Sequence, residues 1–90
     1  MTDIIFNNKP YICKVFTTHV GTLAIKLSSY DGESTIHPTI WLSEIAKNEL
    51  AIADYYQYAG ILNTLIQAKV IHPPHRYCNN YPICYLYDNK

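Results

Sequence analysis

The sequence predicts a small α+β domain, an antiparallel sheet with one main helix packed on one of its faces, and three patterns carry that expectation. Two runs of alternating side chains near the N-terminus read as a hairpin. An apolar stripe at helical spacing follows residue 54. A last run, rich in tyrosine, alternates again as a strand does. Ninety residues suffice for one domain spanning 1–90, folded on a single core, with little room for a deep substrate cleft inside it.

In the first run Tyr11, Cys13, Val15 and Thr17 alternate with Ile12, Lys14 and Phe16. In the second, Leu23, Ile25 and Leu27 alternate with Thr22, Ala24, Lys26 and Ser28. A period of two on either side of Thr18-His19-Val20-Gly21 predicts an antiparallel hairpin. The polar stretch from Ser28 to Thr35, which includes Asp31-Gly32, is expected to connect along the surface. The middle admits two readings. Ile40-Trp41-Leu42 with Ile45 and Ala46 forms either a short helix behind Pro38, the preferred reading, or an irregular strand that tucks Trp41 into the core. Leu50 and Ile52, alternating with Ala51 and Ala53, then predict a short central strand.

The main helix is predicted over 54–68. Asp54 can cap it by accepting a backbone N–H, and Gln57 completes an approximate capping box. Tyr58, Ile61, Leu62, Leu65 and Ile66 fall on one stripe, with Tyr56, Gly60, Asn63 and Gln67 opposite, so Tyr58 is assigned to the core and Tyr56 to the surface. The segment His72 to Asn80, with its prolines and asparagines, reads as an irregular loop. Tyr81 to Tyr87 is the last strand, with Ile83, Tyr85 and Tyr87 on one face and Cys84 and Leu86 on the other. The chain shows no internal repeat or low-complexity linker.

Nine tyrosines in ninety residues is the compositional feature with functional content, because tyrosine supplies stiff contact area with a polar tip. Tyr11, Tyr55 and Tyr58 fit core positions with the hydroxyl at the edge. The aromatic face of the last strand, to which Tyr81 also belongs, either packs under the helix or lies open to a partner. The candidate partner-binding residues are Tyr56, Arg76, Tyr77, Tyr85 and Tyr87. An edge strand left open by so small a sheet offers a second mode, either a homodimer or strand addition to a partner.

Other classes find less support. Seven basic and seven acidic residues are spread singly, which leaves no electrostatic footprint for nucleic acid or anionic lipid. Asp31 with Glu33 and Glu44 with Glu49 read as solvated charges. A winged-helix reading would use 54–68 as recognition helix and Pro73 to Asn80 as wing, but the helix lacks lysine and arginine and the wing offers only Arg76, so this small nucleic-acid-binding regulator is the runner-up. His72, His75, Cys78 and Cys84 are possible zinc ligands at a spacing unlike the common paired sites; solvated loop histidines and a buried Cys84 are the ordinary reading, and no cofactor or metal is expected. Cys78 as nucleophile with His75 as base lacks an oxyanion site and a groove, so no enzyme is expected. Three cysteines, no signal peptide and no stretch able to span a bilayer predict a cytosolic chain.

The stretch from Glu49 through Asp54-Tyr55 and Gly60-Ile61-Leu62-Asn63-Thr64-Leu65-Ile66-Gln67-Ala68 to Val70-Ile71, with Pro82-Ile83-Cys84 near the end, resembles small uncharacterised proteins of phages and prophage regions. It departs from their pattern at Gln57-Tyr58-Ala59 and at Lys69, where the pattern carries a helix-ending glycine. The resemblance implies a mobile-element origin and action by docking on a host protein or complex, in the manner of an anti-CRISPR inhibitor of a bacterial immune complex.

Overall fold

The computed structural model describes residues 2–87, and its strands form two four-stranded antiparallel sheets where one was expected. The first sheet runs in the order β1 (Thr2–Phe6), β2 (Lys9–Thr17), β3 (Leu23–Ser29), β4 (Thr35–Ile36). The second contains β5 (Thr39–Ile40), β6 (Glu49–Ile52), β7 (Arg76–Cys78) and β8 (Tyr81–Tyr85), in the order β5-β6-β8-β7. The predicted hairpin is β2 with β3, from Tyr11 opposite Ser29 to Thr17 opposite Leu23. The predicted central strand is β6. The expected single sheet therefore divides, with the hairpin in one sheet and the central and C-terminal strands in the other. The chain crosses between them at His37 and Pro38.

The alternation does not announce β1. It is folded onto β2 by Asn7 and Asn8, whose φ values of 52° and 64° are left-handed, as a two-residue hairpin turn requires and asparagine tolerates. Asn79 and Asn80, with φ of 52° and 70°, close β7 on β8 in the same way. Both hairpins carry Asn-Asn-x-Pro, a short repeated signature that reading the chain by periodicity misses. The pair that closes such a turn exchanges hydrogen bonds, so the next residue turns its nitrogen away from the hairpin partner. Pro10 and Pro82 hold that place. The ladders to β3 and β6 run only from Tyr11 and Ile83 onward, so neither proline costs a ladder bond.

The helix expected near residues 40–46 does not form. Thr39 and Ile40 pair with Ile52 and Ala51, the Pro38 carbonyl accepts the Ala53 N–H at 2.7 Å, and 41–48 continues as turns. Trp41 is 64% exposed, outside the core. The main helix α1 (Ile61–Gln67) is shorter than predicted. A 3₁₀ turn at Tyr56–Tyr58 precedes it, and left-handed Gly60 (φ 94°) separates the two. Asp54 still caps α1 by reaching over that turn, accepting Gly60 N–H at 3.1 Å and Leu62 N–H at 2.8 Å. The Gln57 side chain, expected to complete the capping box, lies outside the described residues. At the other end Lys69 takes φ 60°, its N–H reaching Ile66 O and that of Val70 reaching Leu65 O, both at 3.0 Å. This is a Schellman closure with lysine at the position glycine favours.

Ile61 and Leu65 are fully buried in a core that joins both sheets, with Ile4, Phe6, Tyr11, Ile25 and Leu27 from the first and Leu50, Ile52 and Cys84 from the second. Tyr58, Leu62 and Ile66 line its rim, and Tyr11 lies inside it. Tyr55 does not belong to the core, because the break before α1 turns it outward. Among the described residues no helix is long and apolar enough to cross a membrane.

Candidate functional site

The second sheet has two differently furnished faces. Leu50, Ile52 and Cys84 point to the core, and alternation places Glu49, Ala51, Tyr81, Ile83, Tyr85, Arg76 and Cys78 on the other. Ala51 and Ile83 are fully buried there as well, so that face is neither open nor aromatic throughout. It is covered by an ionic cluster centred on Glu49. This residue is 5% exposed, a correction to its reading as a solvated charge.

Each Glu49 oxygen is held twice. Oε1 accepts from Arg76 Nη2 at 2.6 Å and from the Ala46 N–H at 2.8 Å; Oε2 accepts from Arg76 Nε at 3.1 Å and stands 2.5 Å from His75 Nε2. Arg76 Nη2 also donates to the Glu44 carbonyl at 3.2 Å, which fastens the 41–48 turns to the sheet. The Arg76 hydrogen bonds, aided by the Ala46 N–H and His75, overcome the burial cost and bring the Glu49 carboxyl down to about 2. In return, Glu49 pushes the Arg76 guanidinium further up. Sequence reasoning missed Glu49. Its one available signal was an acid opening a strand whose other residues are all apolar, in a chain with a single arginine to meet it.

Aromatic rings border this cluster. His75 stacks flat on Tyr85, centroids 4.0 Å apart and planes within 9°. At the other end of β8, Tyr81 lies 5.8 Å from Tyr55, and Tyr55 meets Tyr56 edge-on at 5.3 Å. The neighbouring Tyr81 hydroxyl raises the Tyr55 pKa. The result is a ribbon of Tyr56, Tyr55, Tyr81, Tyr85 and His75 with buried Ile83 in its middle. Tyr56 is 86% exposed and takes a left-handed φ of 51°, a conformation that aromatic residues rarely adopt.

Of the five sequence candidates, Tyr56, Arg76 and Tyr85 meet on this surface. Tyr77 is 66% exposed but alternates to the opposite face of β7. Tyr87 stacks on His72 at 4.8 Å beyond the end of β8. The predicted loop 72–80 runs mostly along the sheet edge. Tyr87 N–H bonds Val70 O at 2.9 Å, His72 N–H bonds Tyr85 O at 2.9 Å and His75 N–H bonds Ile83 O at 3.1 Å, with Pro73-Pro74 interrupting the series.

The candidate zinc ligands are separately engaged. His72 contacts the Tyr87 carbonyl, His75 contacts Glu49, and Cys84 sits in the core with its thiol pushed up to about 12 by burial. Cys78 Sγ stands 4.0 Å from Glu44 Oε1. Among the described residues no three His, Cys, Asp or Glu side chains come together to hold a metal. A cleft of about 140 Å³ between the 18–22 loop and β5, lined by Thr18, Thr22, Leu23, Thr39 and Trp41, is smaller than a ligand site of roughly 300 Å³ or more. Comparison with known proteins gives no match to a family model, a curated protein or a solved structure.

Proposed function

We infer that this chain is a non-enzymatic protein-binding module whose contact surface is the ribbon of Tyr56, Tyr55, Tyr81, Tyr85 and His75. The observation that carries the reading is that the rings are pre-positioned. Tyr85 is stacked on His75, and His75 is held by the buried Glu49–Arg76 pair, so little side-chain freedom remains to be lost on docking. Partly exposed aromatic rings, with Tyr85 and His75 held in place, have the composition of an interface centre. The phage-protein resemblance supports a host protein or complex as the occupant. The nucleic-acid alternative is not favoured, because Arg76 directs its donors to Glu49 and Glu44 and away from any phosphate.

The test is capture from lysate of the native host with identification of the bound protein, followed by titration of that protein with Tyr56→Ala and Tyr85→Ala. Truncating an anchor at an interface centre costs about 2 kcal/mol or more, so at least one variant is expected to bind more than tenfold more weakly while keeping the wild-type melting curve. Normal binding by both variants would place the interface elsewhere. Salt-sensitive retention on single-stranded DNA or RNA would favour the regulator.

A further inference from the structure

Sheets this small expose their edges, and most of the edges here are closed to another strand. β4 and β5 are only two residues long. Where β3 extends past β4, its outward Ile25 N–H is bonded at 3.2 Å by the Thr39 hydroxyl, a side chain in the place of a neighbouring strand. The edge ending in β7 is interrupted by Pro73 and Pro74, which have no N–H to offer. β1 has none of these devices. Thr2-Asp3-Ile4-Ile5-Phe6 is five residues long, free of proline and bulge, and carries a single charge.

Its outward groups follow from the turn. Phe6 and Lys9 close the two-residue hairpin as a bonded pair, so Ile4 with Tyr11 is the next bonded pair, and Asp3 and Ile5 turn their N–H and C=O away from β2. Among the described residues, nothing bonds those groups. The Ile5 side chain on the same edge is 69% exposed.

We propose that β1 is a self-association edge, pairing antiparallel with β1 of a second copy about a twofold axis at Ile4. Two outward residues spaced two apart are complementary to themselves: Asp3 faces Ile5 of the second copy, and Ile5 faces its Asp3. Both edges are then satisfied at once, by about four hydrogen bonds. A register centred on Asp3 would oppose two carboxylates, and one centred on Ile5 would leave Asp3 without its match. The zero net charge puts no long-range repulsion in the way. Four backbone bonds and one apolar contact make a small interface, so half-dimerisation is expected on the order of 10–100 μM.

Sedimentation of the full chain from about 10 μM to 1 mM tests this, with Ile5→Pro as the variant. Proline at position 5 removes an outward N–H but no β1–β2 bond, so the variant is expected to keep its near-ultraviolet dichroism while its dimer fraction falls about tenfold or more. Monomeric wild type across the range, or a folded Ile5→Pro chain that still dimerises, overturns the proposal. Should Ile5→Pro fail to fold, cross-linking decides instead. In a Cys78→Ser background, chains bearing Asp3→Cys are mixed with chains bearing Ile5→Cys and oxidised. The paired Cα atoms would lie roughly 5.5 Å apart, within disulfide reach. A covalent dimer enriched in the mixture over either chain alone supports the register, and equal yields in all three refute it.

Discussion

Replacing Glu49 with glutamine keeps the side-chain shape and removes the charge on which Arg76 and His75 converge. The Glu49 carboxyl is brought from its ordinary 4.5 to about 2, and at about 1.36 kcal/mol per pH unit this corresponds to roughly 3 kcal/mol of folding stability at neutral pH. Water reaches the cluster from the Arg76 side, which is 39% exposed, and this screening reduces the figure to about 2 kcal/mol. The folded pKa is depressed. The contribution is therefore fully present above the unfolded value near 4.5 and is lost as pH falls from there towards 2. Denaturant unfolding at pH 7 and pH 3 measures both parts. Glu49→Gln is expected to lose about 2 kcal/mol at pH 7, and more than half of the gap to wild type should have closed by pH 3. A loss under about 1 kcal/mol with an unchanged gap at both pH values would refute the assignment of this buried pair as a stabilising, acid-sensitive lock.

Lys69→Gly places the favoured residue at the left-handed closure of α1 and is expected to raise stability by roughly 0.5–1 kcal/mol; thermal unfolding checks it, and a decrease would mean that the φ of 60° is not kept in solution. Thiol labelling under native conditions is expected to modify Cys78 first, with Cys13 and Cys84 reacting only on the timescale of unfolding, since both are buried and burial pushes both thiols up. Equal labelling rates for all three by mass spectrometry would contradict the placement of β2 and β8 in the core.

The elements legible in the sequence are those whose burial is one-sided. β2 and β3 alternate cleanly, and α1 keeps its stripe through Ile61 and Leu65. The extent of the helix was not legible. Asp54 is a cap in either arrangement, and its distance from α1 depends on a carboxylate bridging a 3₁₀ turn, which local spacing does not encode. β1 escaped because its evidence lay in the turn chemistry of Asn7-Asn8 rather than in its own five residues. Trp41 shows a different limit, for hydrophobicity suggested burial while the pairing of β5 with β6 carries it outward. In the candidate site, Tyr56, Arg76 and Tyr85 could be nominated from composition. Glu49, which fixes Arg76 directly and Tyr85 through His75, is distant in sequence from both and only register brings them together.

The two sheets make unequal demands on a folding chain. β1, β2 and β3 are successive neighbours joined by short turns, and β7 meets β8 across two asparagines, so each can form from nearby residues. β6 must instead find β8 with the whole of α1 and the proline-interrupted edge looped out between them, and the entropy of that closure has to be met before Glu49 can reach Arg76. The ribbon surface is therefore expected to close late and to open early, with the amides of β6 exchanging faster than those of β2 and faster still in Glu49→Gln. A partner that recognises Tyr81 and Tyr85 over a closed β6–β8 ladder thus selects the completely folded chain over every partly folded one.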